Sequence, residues 1–167
     1  MRGVLVGIFA FVFLCARPVM ALEEPSEDPV LKVEGKIAER NSETAALFDI
    51  EMLRSLGTHT ILTDTPWTKG EITFEGVLLR CVLNAVGATG NLLRAVSLND
   101  YATKIPVSDA EQYDVILAFS RDGQEMGVRE RGPLWVIYPW REVSELRNRI
   151  FYIRSIWQLK SISVEDD

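Results

Sequence analysis

Residues 114–123, DVILAFSRDG, followed by residues 132–138, GPLWVIY, decide how this chain folds. The first run is apolar from Val115 to Phe119 and ends in Arg121-Asp122-Gly123, residue types that supply the left-handed backbone of a tight hairpin turn. Gly132-Pro133 then leads into a second apolar strand over residues 134–138. Further strand signals recur on both sides, over residues 30–37, 59–65, 71–74, 92–98 and 159–164. Short helices fit between them. Asp49 caps one over residues 50–56 that Gly57 stops, and a second over residues 78–86 ends at Gly87. Ser108 and Glu111 have capping-box spacing, and the charged residues 142–150 are helix-compatible. About seven short strands with a few short helices define an α+β domain of mixed, mainly antiparallel sheets.

The 167-residue chain begins with one positive charge at Arg2, an unbroken apolar run from Val4 to Leu14, and Pro18 before Val19-Met20-Ala21. This layout predicts a secretory signal peptide over residues 1–21, cleaved after Ala21. Residues 22–29, LEEPSEDP, read as a flexible acidic leader, and residues 30–167 as a single domain. Cleavage removes Arg2 and Arg17, leaving 16 basic against 24 acidic residues, a net charge of −8. So acidic a chain has no electrostatic reason to bind nucleic acid, and no second apolar stretch is long enough to insert in a membrane after cleavage. Cleavage also removes Cys15, so Cys81 cannot form an internal disulfide. Cys81 sits near the edge of an apolar helical face and reads as a partly buried, inert thiol.

No catalytic centre emerges from these residues alone. The single histidine, His59, has no companions at metal-ligand spacing and no G-x-S-x-G partner, and Gly87-Ala88-Thr89-Gly90 ends a helix rather than opening one. Strand ends are more informative. Thr63-Asp64-Thr65-Pro66-Trp67 gathers hydroxyls, a carboxylate and an indole, Asn99-Asp100-Tyr101 an amide, a carboxylate and a phenol, and Arg154-Ser155-Ile156-Trp157-Gln158 a guanidinium and an indole. Aromatic faces beside acceptor groups suit a flat heteroaromatic ligand. Equally, Trp67, Trp157 and Tyr101 could be core residues and Asp64 and Asp100 turn caps.

From about Leu31 to Val164 the chain resembles the sulfite-oxidase-type molybdopterin-binding domain. The resemblance rests on Phe74-Glu75-Gly76-Val77-Leu78-Leu79, Asn99-Asp100-Tyr101, VILAF with its Asp122-Gly123 turn, Gly132-Pro133-Leu134 running into VIYP, and Ile156-Trp157-Gln158-Leu159. Catalytic members carry a molybdenum-ligating cysteine in a pattern like T-L-x-C-A-G-N. Here that place reads Thr60-Ile61-Leu62-Thr63-Asp64-Thr65, and an arginine and a lysine that help hold the cofactor phosphate in the family are also replaced. In this the chain is similar to a short periplasmic subfamily implicated in binding reduced pterins and signalling to inner-membrane cyclic-di-GMP enzymes.

The resemblance implies a non-catalytic periplasmic sensor with a reduced pterin as ligand, not the molybdenum cofactor. Its partner would be the periplasmic domain of an inner-membrane diguanylate cyclase or phosphodiesterase. Trp67 would stack on the pterin ring, Asp64 or Asp100 would accept from its amino-pyrimidinone edge, and Thr63, Thr65, Asn99, Tyr101 and Trp157 would complete the site. Arg129, Arg131 or Arg154 would meet any anionic tail. A molybdopterin-dependent oxidoreductase and a ligand-free adaptor are the alternatives.

Overall fold

Stretches of alternating burial, and one stretch of continuous burial over residues 116–120, are arranged in two sheets. The computed structural model describes residues 22–167; the expected signal segment, residues 1–21, lies outside the described residues. The strands are β1 (Leu31–Gly35), β2 (Ala45–Phe48), β3 (Thr58–Asp64), β4 (Glu71–Leu78), β5 (Leu92–Ser97), β6 (Ala102–Pro106), β7 (Ile116–Arg121), β8 (Gln124–Glu125), β9 (Trp135–Ile137) and β10 (Leu159–Glu165). The helices are α1 (Ile50–Ser55), α2 (Leu79–Ala85), α3 (Val107–Gln112) and α4 (Arg149–Arg154).

One sheet has the order β2-β1-β10-β5-β6, with only the β1–β10 pair parallel. The other runs β3-β4-β7-β8, with β9 also paired to β7, and is antiparallel throughout. The α+β architecture of mixed, mainly antiparallel sheets therefore stands. In β1, Leu31 and Val33 point inward while Lys32 and Glu34 are more exposed; in β7 every residue from Ile116 to Ser120 is buried. An isolated bridge between Trp135 and Trp157 joins the second sheet to the segment after α4.

Gly76 explains the glycine of the F-x-G-V stretch. The β4–β7 register shifts between Glu75 and Gly76, and a Cβ at Gly76 would fall 2.2 Å from the Leu117 carbonyl oxygen. Only glycine lets β7 pass so close.

Several local expectations need correction. β2 and β6 fall outside the predicted strands because their sequences carry no clear alternation, and β4 continues to Leu78, beyond the predicted end at Phe74. Ser108 is not a cap, because α3 starts at Val107 behind Pro106 and Ser108 lies inside the helix. Residues 142–150 are not one helix: Ser144–Leu146 form a 3₁₀ turn and only Arg149 and Ile150 are helical, as the start of α4, which is capped by the Asn148 side chain accepting from the Ile150 amide at 2.9 Å. The acidic leader is not a loose tail. Buried Asp49 caps α1 through Oδ1 on the Met52 amide (2.8 Å), and its Oδ2 accepts from the amides of Ser26 (2.8 Å) and Glu27 (3.1 Å). Burial works to raise the Asp49 pKa, but these amides together hold it below the usual carboxylate range. Leu22 packs on the core, and the Asn41 amide donates to the Glu23 carbonyl at 2.6 Å.

Among the described residues no helix is long and apolar enough to cross a membrane. Cys81 is half-buried on α2 and has no disulfide partner among the described residues.

Candidate ligand-binding site

Where the β5–β6 end of the first sheet meets the β3–β4 turn of the second, α4 closes a cavity of about 360 Å³. Two turns, a helix and the segment after it build its wall. Ser97, Asn99 and Tyr101 come from the β5–β6 turn, Arg149, Tyr152 and Ile153 from α4, Ser155 to Trp157 from the segment after it, and Trp67 from the β3–β4 turn.

Each side chain is held by local chemistry. The buried hydroxyl of Thr65 accepts from the Trp67 amide at 3.2 Å and bonds the Thr68 hydroxyl at 2.8 Å, fixing the turn that carries the indole. Trp67 then becomes the hub of an aromatic cluster, its ring centroid 5.4 Å from Trp157, 6.0 Å from Trp135 and Tyr152, and 6.3 Å from Trp140. Most of these contacts are edge-to-face, the arrangement aromatic quadrupoles prefer. The Arg131 guanidinium lies 5.1 Å from the Trp135 ring and 5.5 Å from the Trp157 ring. It also donates to the Trp67 carbonyl at 3.4 Å, and so clamps the cluster.

On the opposite wall Asp100 takes a left-handed conformation (φ 64°), turning the chain so that the Ser97 hydroxyl donates to Asn99 Oδ1 at 2.5 Å. The Tyr101 amide donates to the same oxygen at 3.2 Å, which leaves the Asn99 NH₂ without a partner among the described residues. At the base, buried Ser155 donates to the Val136 carbonyl at 2.5 Å and accepts from Trp135 Nε1 at 3.1 Å.

Trp67, Asn99, Tyr101 and Trp157 are thus brought together, while the other predicted site residues lie outside the wall. Thr63 is fully buried: its hydroxyl donates to the Asp64 carbonyl and accepts from the Arg141 amide, both at 3.2 Å. Asp64 is held bidentately by Arg147 at 2.7 and 2.8 Å, and that hydrogen-bonded guanidinium keeps its carboxyl below the usual range. Asp100 receives Lys160 Nζ at 2.6 Å, which lowers its pKa in the same way. Neither carboxylate faces the cavity, so the expected acidic acceptor is absent from its wall. Thr65 and Arg131 support Trp67 from behind. Arg129 lies exposed in the 3₁₀ turn Val128–Glu130, and Arg154 is committed to Asp109 at 2.9 and 3.1 Å.

Sequence reasoning missed Ser97, Arg149, Tyr152 and Ile153, and gave Ser155 and Ile156 no role. The one available signal was Asn148, whose capping side chain could have placed α4 and its cavity-facing residues.

Fold and cavity together define an α+β domain with an aromatic pocket whose wall carries one cation and no acid. The oxidoreductase molybdopterin binding domain profile matches residues 38–146, and the chain belongs to this family. Among solved structures it is similar to the sulfane dehydrogenase SoxCD from Paracoccus pantotrophus, with a TM-score of 0.61 and 19% identity. That match covers 88% of this chain and 40% of the other, so this chain spans about two fifths of its length. At that identity the likeness establishes the sulfite-oxidase-type fold alone. Comparison with curated proteins gave no match.

The family implies a molybdenum cofactor, and the described residues do not fit its metal. The strand end where the family pattern places a thiolate carries Thr63, a buried hydroxyl already bonded on both sides. Cys81 stands on α2, away from the cavity wall, and no three His, Cys, Asp or Glu side chains among the described residues are grouped to hold a metal.

Proposed function

We propose that this chain is a periplasmic receptor for a reduced pterin, without molybdenum and without catalysis of its own. The observation that carries this reading is the cavity walled by Trp67, Trp157, Tyr152 and Tyr101, at about 360 Å³ within the usual size of small-molecule sites. It offers aromatic surface to a flat ring, together with the Asn99 amide and tyrosine hydroxyls for the ring's polar edge. The thiolate a metal would require has no counterpart there.

In this proposal the occupied receptor signals to the periplasmic domain of an inner-membrane cyclic-di-GMP synthesising or degrading enzyme. Support comes from the sequence resemblance and from the exposed apolar residues Leu98, Tyr101, Ile150 and Ile153 at and beside the cavity. Removing the protein from its native cell should change cyclic-di-GMP only while that periplasmic domain is intact; an unchanged level overturns the relay.

Calorimetric titration of the purified protein with 6-methyltetrahydropterin tests the binding itself. Saturable one-to-one binding is expected, lost in Trp67→Ala and weakened in Tyr101→Ala, whose exposed side chain can be removed without disturbing the core. Unchanged binding by both variants overturns the site. The family match favours a second reading, a molybdopterin-dependent oxidoreductase. Stoichiometric molybdenum in protein purified from its native compartment would establish that reading and overturn the first.

A further inference from the structure

Three arginines bracket α4, and two of them are neutralised. Arg147 is bound by Asp64 and Arg154 by Asp109. Arg149, the first residue of α4, has neither an ion-pair partner nor a hydrogen bond among the described residues, and it is the only charged residue in the cavity wall. The wall holds no carboxylate, because Asp64 and Asp100 are paired elsewhere with Arg147 and Lys160. Around it lies a chain whose described residues carry 24 acidic against 16 basic side chains. The overall field therefore repels anions, and an anionic group gains only from a close cation with no competing partner.

We propose that the cavity selects planar ligands bearing an anionic substituent, a carboxylate or phosphate, and that Arg149 is the residue that reads it. A guanidinium with all its donors free can grip such a group bidentately, which a neutral side chain of similar length cannot do. The inference rests on the proposed pterin site for its ring, but not for its charge. Because the molecule repels anions at long range, the preference appears in slower ligand release rather than faster capture.

Calorimetric titration with matched probes tests this. Tetrahydropterin-6-carboxylate should bind about five- to tenfold more tightly than 6-methyltetrahydropterin, the range between an exposed ion pair and a sheltered one. Arg149→Met should erase that ratio while leaving the neutral ligand's affinity within about twofold. Arg149→Lys should retain part of the ratio, and Arg94→Met, the same charge change on the exposed face of β5, should retain all of it. Equal affinities in the unaltered protein, or a ratio that survives Arg149→Met, overturn the inference and leave the pterin reading standing. Indole-3-acetate and indole-3-acetamide form a second pair. If neither pterin binds but indole-3-acetate is preferred through Arg149, the anion inference stands and the pterin reading falls. If no probe binds, both fall.

Discussion

Two arginine–aspartate pairs hold α4 and its approach, and they are built very differently. Arg154 and Asp109 meet in the interior, where Asp109 is 5% exposed and its Oδ2 also accepts the Tyr138 hydroxyl at 2.8 Å. Arg147 and Asp64 meet at the surface, both side chains about two-fifths exposed, with matching bidentate geometry. Only the interior pair shapes the cavity. The interior pair joins α3 to the end of α4 and, through Tyr138, to the residue that follows β9, with Phe151 5.4 Å from the Tyr138 ring, so it sets where Tyr152 and Ile153 stand. The surface pair joins the end of β3 to the loop before α4 in high dielectric, where geometry gains little energy.

Asp109→Ala should strain this contrast most. Leaving half-buried Arg154 and buried Tyr138 without their acceptor should cost about 3 kcal/mol in denaturant unfolding and weaken ligand binding through displacement of α4. Tyr138→Phe sharpens it, removing one buried hydrogen bond and keeping the charge pair, for about 1–2 kcal/mol by the same measurement. Burial holds the Tyr138 phenol well above its ordinary pKa, so it remains a donor across neutral and mildly alkaline pH, and this loss should not vary over that range.

Asp64→Asn should have the smallest effect, a fall in melting temperature less than that of Tyr138→Phe and removable by high salt. Its pH dependence has a defined sign. The folded Asp64 carboxyl titrates below its unfolded value because Arg147 bonds it. Its contribution is complete above the ordinary carboxylate value of about 4 and is lost as pH falls through the lower folded value. Melting curves of Asp64→Asn and the unaltered protein should therefore converge in acid; a gap that persists there removes the ion pair as its source.

The same contrast separates what could be read from the sequence from what could not. Asp49 as the cap of α1, Gly57 and Gly87 as stops, and the Asp122-Gly123 turn are fixed within a few residues of themselves, and all appear in the fold. Trp67, Asn99, Tyr101 and Trp157 were legible because they stand in clusters of aromatic and polar residues at strand ends, and these four do line the cavity. The partners of Asp64 and Asp100 lie 83 and 60 residues away, so no local pattern could show that their charges are spent outside the cavity. Helix α4 has only six residues, too few for a periodic signature, and the wall it supplies stayed hidden with it. Ser108 misled because Pro106 had already begun the helix.

The clustering of indoles around Trp67 has a spectroscopic consequence. All four tryptophans of the chain belong to this one assembly, with neighbouring ring centroids between 5.4 and 6.3 Å apart. At such separations their transition dipoles couple, so ultraviolet emission and near-ultraviolet circular dichroism belong to the group rather than to separate chromophores. Two of the four, Trp67 and Trp157, face the cavity. The molecule thus contains its own optical gauge, in which an occupant's absorption would quench the whole ensemble and alter its exciton signature, with no label attached.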